Sequence, residues 1–315
     1  MGSTTKSSVP YHLPSDAVWF ITGCSSGIGK ALSTVIASHP PQRLVCTARD
    51  PTSLNYLPET SHGILKLALD VTSQSSVDAA VATALSRFGR VDVFVNNAGY
   101  ALSGDAENAS DEDARRCVEA DFWGAVRVTR HALRVLREDN AVTGQRGGVV
   151  MNMSSLGGRL GFPGTAFYHA SKFAMEGFSE AVAKEVRPEW NIHFCLIEPG
   201  GVQTNYATTS TKHIPVHPAY AAEDTPARVL ERYIADEENR KRWSRAEDVA
   251  ETMFRIADAK GRKIPLRVPL GPDAWGIIKA EFSRFLAELE EIKPISLGVG
   301  HKDQLESVEF LKTLD

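Results

Sequence analysis

Short runs of apolar residues alternate along the chain with longer stretches in which apolar residues recur every three or four positions. Continuous apolar runs are typical of strands buried on both faces of a sheet. We expect six such strands, at residues 17–21, 44–46, 64–69, 91–95, 148–153 and 192–197. The helical stretches between them fall at about residues 28–38, 73–88, 111–136 and 166–186. This alternation predicts an α/β protein with a doubly wound parallel sheet in three layers.

The pattern also divides the chain into three parts. Residues 1–16 are polar and rich in Ser and Thr, and we expect a disordered or extended tail there. Residues 17–270 form the predicted domain, which ends in an edge strand that contains two prolines. Within it, the polar segment 205–242 carries three prolines, and we expect it to be a substrate lid. Residues 271–315 are expected to form a helical extension and a loose tail.

The C-terminal extension begins with an amphipathic helix at residues 272–292. Its apolar side consists of Trp275, Ile278, Phe282, Phe285, Leu286 and Leu289. We expect this side to pack on the core or on a second subunit. A position on a lipid surface is disfavoured, because the polar side of the helix carries several acidic residues.

Composition narrows the class of protein. The chain has 315 residues, 43% of them apolar and 23% charged, which is ordinary for a single globular domain. A formal charge of −4 without a basic cluster argues against a nucleic-acid partner. No apolar run reaches transmembrane length, and residues 1–16 lack the apolar core of a signal peptide, so we expect neither feature. Four widely spaced cysteines suit a reducing compartment and no zinc site, so we expect a cytoplasmic protein without a bound metal.

A glycine-rich loop at residues 22–29 follows the first apolar run and opens the first helical stretch. Gly23, Gly27 and Gly29 allow a tight turn and a close approach of the backbone to a phosphate. The N-terminus of the helix then offers free N–H groups and the positive end of its dipole. The position of the loop between a buried strand and a helix predicts a nucleotide site. The alternative is a tight turn that binds nothing.

Tyr168 and Lys172 lie four residues apart and therefore on one face of a helix. An ammonium group beside a phenol favours the phenolate and lowers the tyrosine pKa. Such a tyrosine exchanges a proton with a carbonyl or alcohol oxygen near neutral pH. The spacing alone is weak evidence, because it is common by chance. A Ser-His-Asp hydrolase is disfavoured, because the chain lacks a Gly-x-Ser-x-Gly elbow and His169 would point away from the tyrosine face.

Taken together, the motifs resemble those of the short-chain dehydrogenase/reductase family. Five of them occur in the family's order: the Gly-x-x-x-Gly-x-Gly loop, Asp70-Val71, the Asn-Asn-Ala-Gly stretch at 96–99, Ser155 with Tyr168 and Lys172, and the stretch 199–204. The resemblance covers roughly residues 17–274 and is greatest to the hydroxysteroid- and retinol-dehydrogenase-like branch with its fungal relatives. It implies a Rossmann-type fold and hydride exchange between a nicotinamide cofactor and a carbonyl or alcohol.

The resemblance also implies which residues surround the cofactor. They are Gly23, Ser25, Ser26, Gly27, Ile28 and Gly29 in the loop, Arg49, Asp70 and Val71 towards the adenosine, Asn97, Ala98 and Gly99 beside its ribose, Tyr168 and Lys172 at the nicotinamide ribose, and Pro199, Gly200, Val202 and Thr204 at the nicotinamide. The alternative for Val71 and Val202 is that they are core residues.

The cofactor preference rests on the end of the second strand. An acidic residue there binds the ribose diol of NAD and repels a 2′-phosphate. This chain has Ala48 followed by Arg49, whose guanidinium can pair with a phosphate in a forked geometry, and Ser26 can donate a further hydrogen bond. Asp50 comes one step later and is expected to point away. We therefore expect NADP(H) in preference to NAD(H); the alternative is that Arg49 is a surface arginine.

The family resemblance assigns the catalytic roles. Ser155 orients the substrate carbonyl, Tyr168 supplies the proton, and Lys172 lowers the tyrosine pKa and binds ribose. The family's usual fourth member is an asparagine, which helps to hold a water in the proton relay, and the matching residue here is Asp121. A carboxylate only accepts hydrogen bonds and adds a charge near Lys172.

Three functions remain open at this point. In the first, the chain is an ordinary reductase in which Asp121 keeps the helix kink and the water. In the second, an altered proton relay favours isomerisation, dehydration or cyclisation in secondary metabolism. In the third, the chain is a non-catalytic nucleotide sensor on the same fold. The retention of Ser155, Tyr168 and Lys172 argues against the sensor, which would not require them.

The expected substrate wall is mostly apolar and consists of Tyr100, Leu102, Leu156 and Phe162. An apolar wall favours a bulky hydrophobic ketone, aldehyde or alcohol. Helices 111–136 and 166–186 often pair across a dimer axis in the family, so we favour a homodimer. The alternative is a monomer in which the C-terminal helix covers that face.

Overall fold

A seven-stranded parallel sheet forms the centre of the computed structural model, which describes residues 11–58, 62–301 and 303–313. Its strands are β1 Val18–Ile21, β2 Arg43–Ala48, β3 Ile64–Ala68, β4 Val93–Asn96, β5 Gly148–Met153, β6 Ile192–Pro199 and β7 Arg267–Leu270. The spatial order is β7-β6-β5-β4-β1-β2-β3. The direction of winding reverses between β1 and β4, and ligands of open α/β sheets bind in the crevice at such a reversal. The first ten residues of the predicted tail lie outside the described residues.

Helices cover both faces of this sheet, as predicted. They are α1 Gly27–Ala37, α2 Gln74–Phe88, α3 Asp111–Val118, α4 Gly124–Arg134, α5 Asn140–Val142, α6 Ala166–Glu185, α7 Pro226–Ala235, α8 Glu237–Arg240, α9 Ala246–Ala257, α10 Pro272–Ser296 and α11 Gln304–Ser307. Side chains of β1 alternate between the two faces: Trp19 and Ile21 join one apolar cluster, and Val18 and Phe20 join the other. Two cores on opposite faces are the signature of a doubly wound sheet.

The predicted helix 111–136 is not one regular helix. A π-helical turn at Glu119–Trp123 separates α3 from α4, and a second one, Val135–Asp139, follows α4. Periodicity of apolar residues cannot reveal such a turn, because one extra residue per turn disturbs the pattern only locally. π turns inside helices are frequent at functional sites, and the first of these contains Asp121.

The lid segment is more ordered than its polar sequence suggests. A short strand, Thr211–His213, pairs with Ala101–Ser103 after β4, and α7 and α8 complete the segment. Arg228 of α7 is buried and donates to Asp105 with an Nη2–Oδ1 distance of 3.0 Å. Because Asp105 follows the strand Ala101–Ser103, this buried ion pair connects the lid helix α7 to the wall of the crevice.

Two further features complete the fold. Helix α9, which the apolar pattern did not predict, packs on α1 through the buried side chains Ala250 and Met253. Helix α10 begins where predicted and ends four residues later than expected. Among the described residues, no helix is long and apolar enough to cross a membrane.

Candidate active site

The glycine loop after β1 has a shape that side chains would prevent. Gly23 and Gly27 have positive φ angles of 72° and 56°, which glycine adopts without strain. A Cβ atom on Gly29 would lie 2.4 Å from the carbonyl oxygen of Gly23. The loop therefore curls tightly against the first turn of α1, leaving its outer side open to a ligand.

The residues after β4 hold this loop in place. The Asn97 Nδ2 donates to the carbonyl oxygens of Thr22, at 2.9 Å, and Gly23, at 3.0 Å. The backbone N–H groups of Asn97 and Ala98 each donate to Thr22 Oγ1 at 3.0 Å. Two predicted cofactor motifs, the glycine loop and the stretch 96–99, therefore form one unit.

The N-terminus of α1 fits an anionic group. Ser26 caps the helix by position, but its side chain accepts no capping hydrogen bond, and the first turn contains no acidic residue. A Cβ atom on Gly27 would lie 3.4 Å from Thr204 Cβ, so Thr204 faces the loop from the opposite side. Free helix N–H groups beside a glycine loop suit a pyrophosphate. The residues present thus fit the nucleotide predicted from sequence.

The two charged residues after β2 differ in their surroundings. Arg49 is exposed and forms no hydrogen bond or ion pair within the part of the chain that the structure describes. Asp50 accepts from both the backbone N–H and the Oγ1 of Thr52, at 2.9 and 2.8 Å, and so caps the turn that follows. The expectation that Asp50 points away agrees with this geometry. Asp70, after β3, is held in the same way by Thr72.

Ser155 lies beside Tyr168, whereas the adjacent serine does not. The Oγ of Ser155 accepts from the backbone N–H of Gly157 at 3.0 Å, and the proximity of this hydroxyl to Tyr168 lowers the pKa of that phenol. The buried Ser154 instead donates to Glu176 Oε1 at 2.5 Å. The thirteen-residue spacing to Tyr168 thus selects the serine that the fold places next to the tyrosine.

The net direction of the Tyr168 pKa differs from the expectation. Burial raises the pKa of the phenol, and the Asp121 carboxylate raises it further, which outweighs the lowering effect of the Ser155 hydroxyl. Lys172 is buried, donates from Nζ to the carbonyl oxygen of Met153 at 2.9 Å, and lies 5.4 Å from the Tyr168 ring centroid. The net pKa of Tyr168 is raised because burial dominates, and the lowering effect of Lys172 stays a prediction.

His169 supports the serine turn rather than reacting. Its Nδ1 lies 2.8 Å from the carbonyl oxygen of Gly157, and its Nε2 lies 2.8 Å from Thr165 Oγ1. A carbonyl only accepts, so Nδ1 carries the proton and Nε2 accepts from the threonine. Burial lowers the pKa of His169, which keeps the ring neutral. The residue fixes the turn that follows Ser155.

Asp121 is buried in the π turn, with 1% of its surface exposed. Its Oδ1 accepts from the backbone N–H of Tyr100 at 2.8 Å, and its Oδ2 accepts from Ser171 Oγ at 3.3 Å. A Cβ atom on Gly99 would lie 2.7 Å from the same Oδ1. Burial raises the pKa of Asp121 to about 6, against the opposing effects of Lys172 and the two donors. The carboxylate thus joins the loop after β4 to helix α6.

Two further side chains reach this group without having been predicted. The Tyr206 ring, at the start of the lid, lies 6.1 Å from that of Tyr168, and burial raises its pKa. Cys117 on α3 donates from Sγ to the carbonyl oxygen of Tyr100 at 3.7 Å. Burial and Asp121 raise the pKa of this thiol to about 12, so it stays neutral. Neither residue belongs to a sequence motif. The only signal for Tyr206 is its place two residues after the stretch 199–204.

The predicted substrate residues fall into two groups. Phe162 lies 5.6 Å from the His169 ring, and Leu156 follows Ser155 directly, so both lie at the serine turn. Tyr100 is half-buried beside Asp121, and its pKa is raised to about 12 mainly by burial. Leu102 is 2% exposed in the short strand paired with the lid, so a substrate reaches it only if that pairing opens.

The loop after β6 is held by the first turn of α10. Asp273 Oδ2 accepts from the backbone N–H of Gly201 at 2.7 Å. A Cβ atom on Gly200 would lie 2.2 Å from the same oxygen. This contact sets the position of the predicted nicotinamide residues Pro199 and Gly200.

A cluster of buried charges lies behind the serine turn. Glu176 on α6 and Glu198 on β6 are 4% and 1% exposed. Arg267 donates from Nε to Glu176 Oε2 at 2.9 Å, and Arg159 Nη1 lies 3.5 Å from the same oxygen. Burial and the neighbouring Glu176 raise the pKa of Glu198. The cluster connects Ser154, and through it the serine turn, to the edge strand β7.

Comparison with known proteins places the chain in a family. The sequence profile of the short chain dehydrogenase family matches residues 17–215. The oxidoreductase calM of Penicillium decumbens is 47% identical over 298 residues, which cover 94% of this chain and 97% of that protein. A 3-ketodihydrosphingosine reductase of Bacteroides thetaiotaomicron is 38% identical over 186 residues, covering 59% of this chain and 64% of that protein.

Among solved structures, a short-chain dehydrogenase from Streptomyces avermitilis has a similar fold. Its TM-score is 0.78 at 31% identity, and the match covers 91% of this chain and all of that one. The chain therefore belongs to the short-chain dehydrogenase family and is an oxidoreductase of that family. Proteins with this fold bind nicotinamide cofactors.

Proposed function

We propose that the protein is an NADPH-dependent reductase that converts a bulky hydrophobic ketone or aldehyde into an alcohol. The observation that carries the proposal is the grouping of Ser155, Tyr168 and Lys172, with the serine hydroxyl beside the tyrosine and the ammonium 5.4 Å from its ring. Asp121 connects this group to the loop that holds the glycine motif. Proton donor and nucleotide site thus lie at one edge of the sheet.

The side chains suit the direction of reduction. The raised pKa of Tyr168 keeps the phenol protonated at neutral pH, which is the form that donates to a developing alkoxide. Ser155 Oγ accepts from the backbone N–H of Gly157, and its hydroxyl group would orient the carbonyl oxygen of the substrate. Lys172 then stabilises the phenolate that proton donation leaves behind. A bound nicotinamide supplies the hydride.

Preference for the phosphorylated cofactor rests on Arg49. Its guanidinium is exposed and has no partner among the described residues, while Asp50 is occupied by Thr52. A 2′-phosphate at the end of β2 would therefore meet a free cation and no free carboxylate. Pro199, Gly200, Val202 and Thr204 would line the nicotinamide, and Lys172 and Tyr168 its ribose.

The substrate class follows from the wall of the crevice. Tyr206 lies 6.1 Å from the Tyr168 ring, and Phe162 and Leu156 lie at the neighbouring serine turn, so the surface near the tyrosine is largely apolar. A relative's name, 3-ketodihydrosphingosine reductase, describes a ketone on a long apolar chain, which supports this class. The Asp121 side chain engages Tyr100 and Ser171, while Lys172 Nζ donates to Met153, so an ordinary reductase is favoured over an altered proton relay.

The test is a panel of hydrophobic ketones and aldehydes incubated with NADPH, followed at 340 nm and by mass analysis of the products. We expect consumption of NADPH with formation of the alcohol. A product at the oxidation state of the substrate would point to isomerisation, dehydration or cyclisation. Tight NADPH binding without turnover on any carbonyl would instead favour a nucleotide sensor.

A further inference from the structure

Helix α10 carries an apolar stripe that its own domain covers only in part. Ala274 and Ile278 are buried, and the helix contacts β7 and the turn Leu156–Gly158. Every residue from 282 to 300 is exposed. The stripe therefore continues beyond the edge of the domain, where it forms the exposed apolar face of a projecting helix.

The stripe follows the repeat of a coiled coil. Its members, separated alternately by three and four residues, are Trp275, Ile278, Phe282, Phe285, Leu289 and Ile292. In heptad notation these are successive a and d positions, which pack against a second helix. Phe285, Leu289 and Ile292 are 51%, 40% and 46% exposed in the single chain. Of the six seam residues only Ile278 is buried, and Trp275 and Phe282 are 60% and 44% exposed, so most of the seam is free to contact a partner helix.

We propose that a second copy of this chain covers the stripe, with the two α10 helices parallel and in register. The charges beside the seam support this arrangement. Glu281 and Glu288 occupy g positions, and Lys279 and Lys293 occupy e positions. In a parallel pair, Glu288 of each copy faces Lys293 of the other, which gives two attractive pairs. An antiparallel pair sets g against g and e against e, so that like charges meet.

The same charges disfavour a lipid surface as the occupant. From residue 279 to residue 296, four acidic residues face three basic ones. Helices that lie on anionic membranes are instead rich in Lys and Arg on their polar side. Within one chain, Glu288 pairs with Arg284 and Lys293 with Glu290, but these pairs are exposed and readily exchanged.

The contact would bear on the active site. The inner half of α10 holds the loop after β6 through Asp273, and Phe282 lies over the Arg159 guanidinium at 4.8 Å. Arg159 follows the serine turn. A second copy that fixes the outer half of α10 thereby also fixes the helix that braces both loops.

The first experiment measures association of the full chain by sedimentation between 0.1 and 100 μM. We expect a dimer that Leu289→Glu weakens at least tenfold. The matched control is Ala287→Glu, which adds the same charge at the f position, on the side away from the seam, and should leave association unchanged. A wild-type protein that stays monomeric throughout, or a dimer that survives Leu289→Glu, would overturn the proposal. Binding of a monomeric protein to phosphatidylglycerol vesicles would assign the stripe to a lipid surface.

The second experiment tests orientation. Glu288→Lys and Lys293→Glu should each weaken association, and the double variant should restore it. Ser296 occupies the next a position, so Ser296→Cys should form a disulfide between copies under mild oxidation, whereas Ala287→Cys should not. The cysteines of the native chain are buried, so they do not compete. Failure of Ser296→Cys to cross-link in a dimeric protein would rule out the parallel register. Neither experiment depends on catalytic activity.

Discussion

The buried carboxylate of Asp121 raises the pKa of the Tyr168 phenol, although the hydrogen bonds that it accepts come from Tyr100 and Ser171. The usual family residue at this position is a neutral asparagine, so the charge is a departure from the family pattern. It places a second titrating group beside the proton donor. Burial raises the pKa of Asp121 itself to about 6, so this carboxyl is charged at neutral pH and loses its charge in mild acid.

Asp121→Asn should keep the hydrogen bond from Tyr100 and preserve or improve carbonyl reduction. Removing the charge lowers the pKa of Tyr168, so the alkaline limb of the kcat profile for NADPH oxidation moves to lower pH. Below pH 6 the wild-type carboxyl is protonated, and the two profiles should converge. Loss of activity at every pH would show that the carboxylate takes part in the reaction.

The same substitution should also stabilise the fold. The folded pKa of about 6 lies above the ordinary aspartate value of 3.8, so folding of the wild type weakens as the pH rises between these values. Above pH 6 the asparagine variant should gain at most about 3 kcal/mol in unfolding free energy. Urea titrations at pH 4 and pH 8 measure the difference, and an equal effect at both would contradict this explanation.

Tyr168→Phe should reduce turnover by roughly 10²-fold or more, because proton donation contributes a factor of this order. NADPH affinity should change less than about threefold, since the aromatic ring and Lys172 remain and only the hydroxyl is lost. Fluorescence titration with NADPH separates the two effects. Tyr206→Phe is the matched control, because it removes a hydroxyl from a second ring that lies 6.1 Å from the Tyr168 ring. The proposal gives the Tyr206 hydroxyl no part in proton donation, so kcat should largely survive.

Much of the sheet was predictable because buried parallel strands are continuous apolar runs. All six expected strands are present, and the glycine loop has the backbone angles that its composition requires. The short strand Thr211–His213 was not predictable, since it is mostly exposed and is defined by its partner after β4. The π turn at Asp121 was hidden because apolar spacing averages over several turns.

The sequence predicts which site residues are neighbours along one helix. It does not predict the net pKa of a buried side chain, which depends on residues that only the fold brings together. The proximity of Tyr168 and Lys172 follows from their spacing on α6. The direction of the tyrosine pKa depends on burial and on Asp121, which lies 47 residues away in the sequence and reaches the site only through the fold. Tyr206 was missed for the same reason.

Arg49→Ala should raise the KM for NADPH by about tenfold to a hundredfold, because a charge-assisted pair with the 2′-phosphate is lost. The KM for NADH should stay within twofold and serves as the internal reference. Asp50→Asn is the matched control, since its carboxylate is bound to Thr52 and the ratio of the two KM values should not change. Equal losses with both cofactors, or a wild type that prefers NADH, would remove Arg49 from the phosphate site.

Glu198→Gln should stabilise the protein at alkaline pH. Burial and Glu176 raise the folded pKa of Glu198 above its ordinary value, so the carboxyl is easier to ionise in the unfolded chain. Stability contributed by the protonated form is therefore complete in acid and is lost as the pH rises from the ordinary value through the raised one. A neutral glutamine keeps the shape and removes this loss, so its melting temperature should exceed that of the wild type at pH 8 and match it near pH 4. Glu180→Gln should have the opposite effect and lower the melting temperature at pH 8. Arg267 and Lys184 lower the pKa of Glu180 to about 2, so its charge stabilises the fold, and this stability is lost as the pH falls towards 2. That effect should be small, since Glu180 is partly exposed. A lower melting temperature for Glu198→Gln at pH 8 would mean that the buried carboxyl is ionised and held by Arg159 and Arg267.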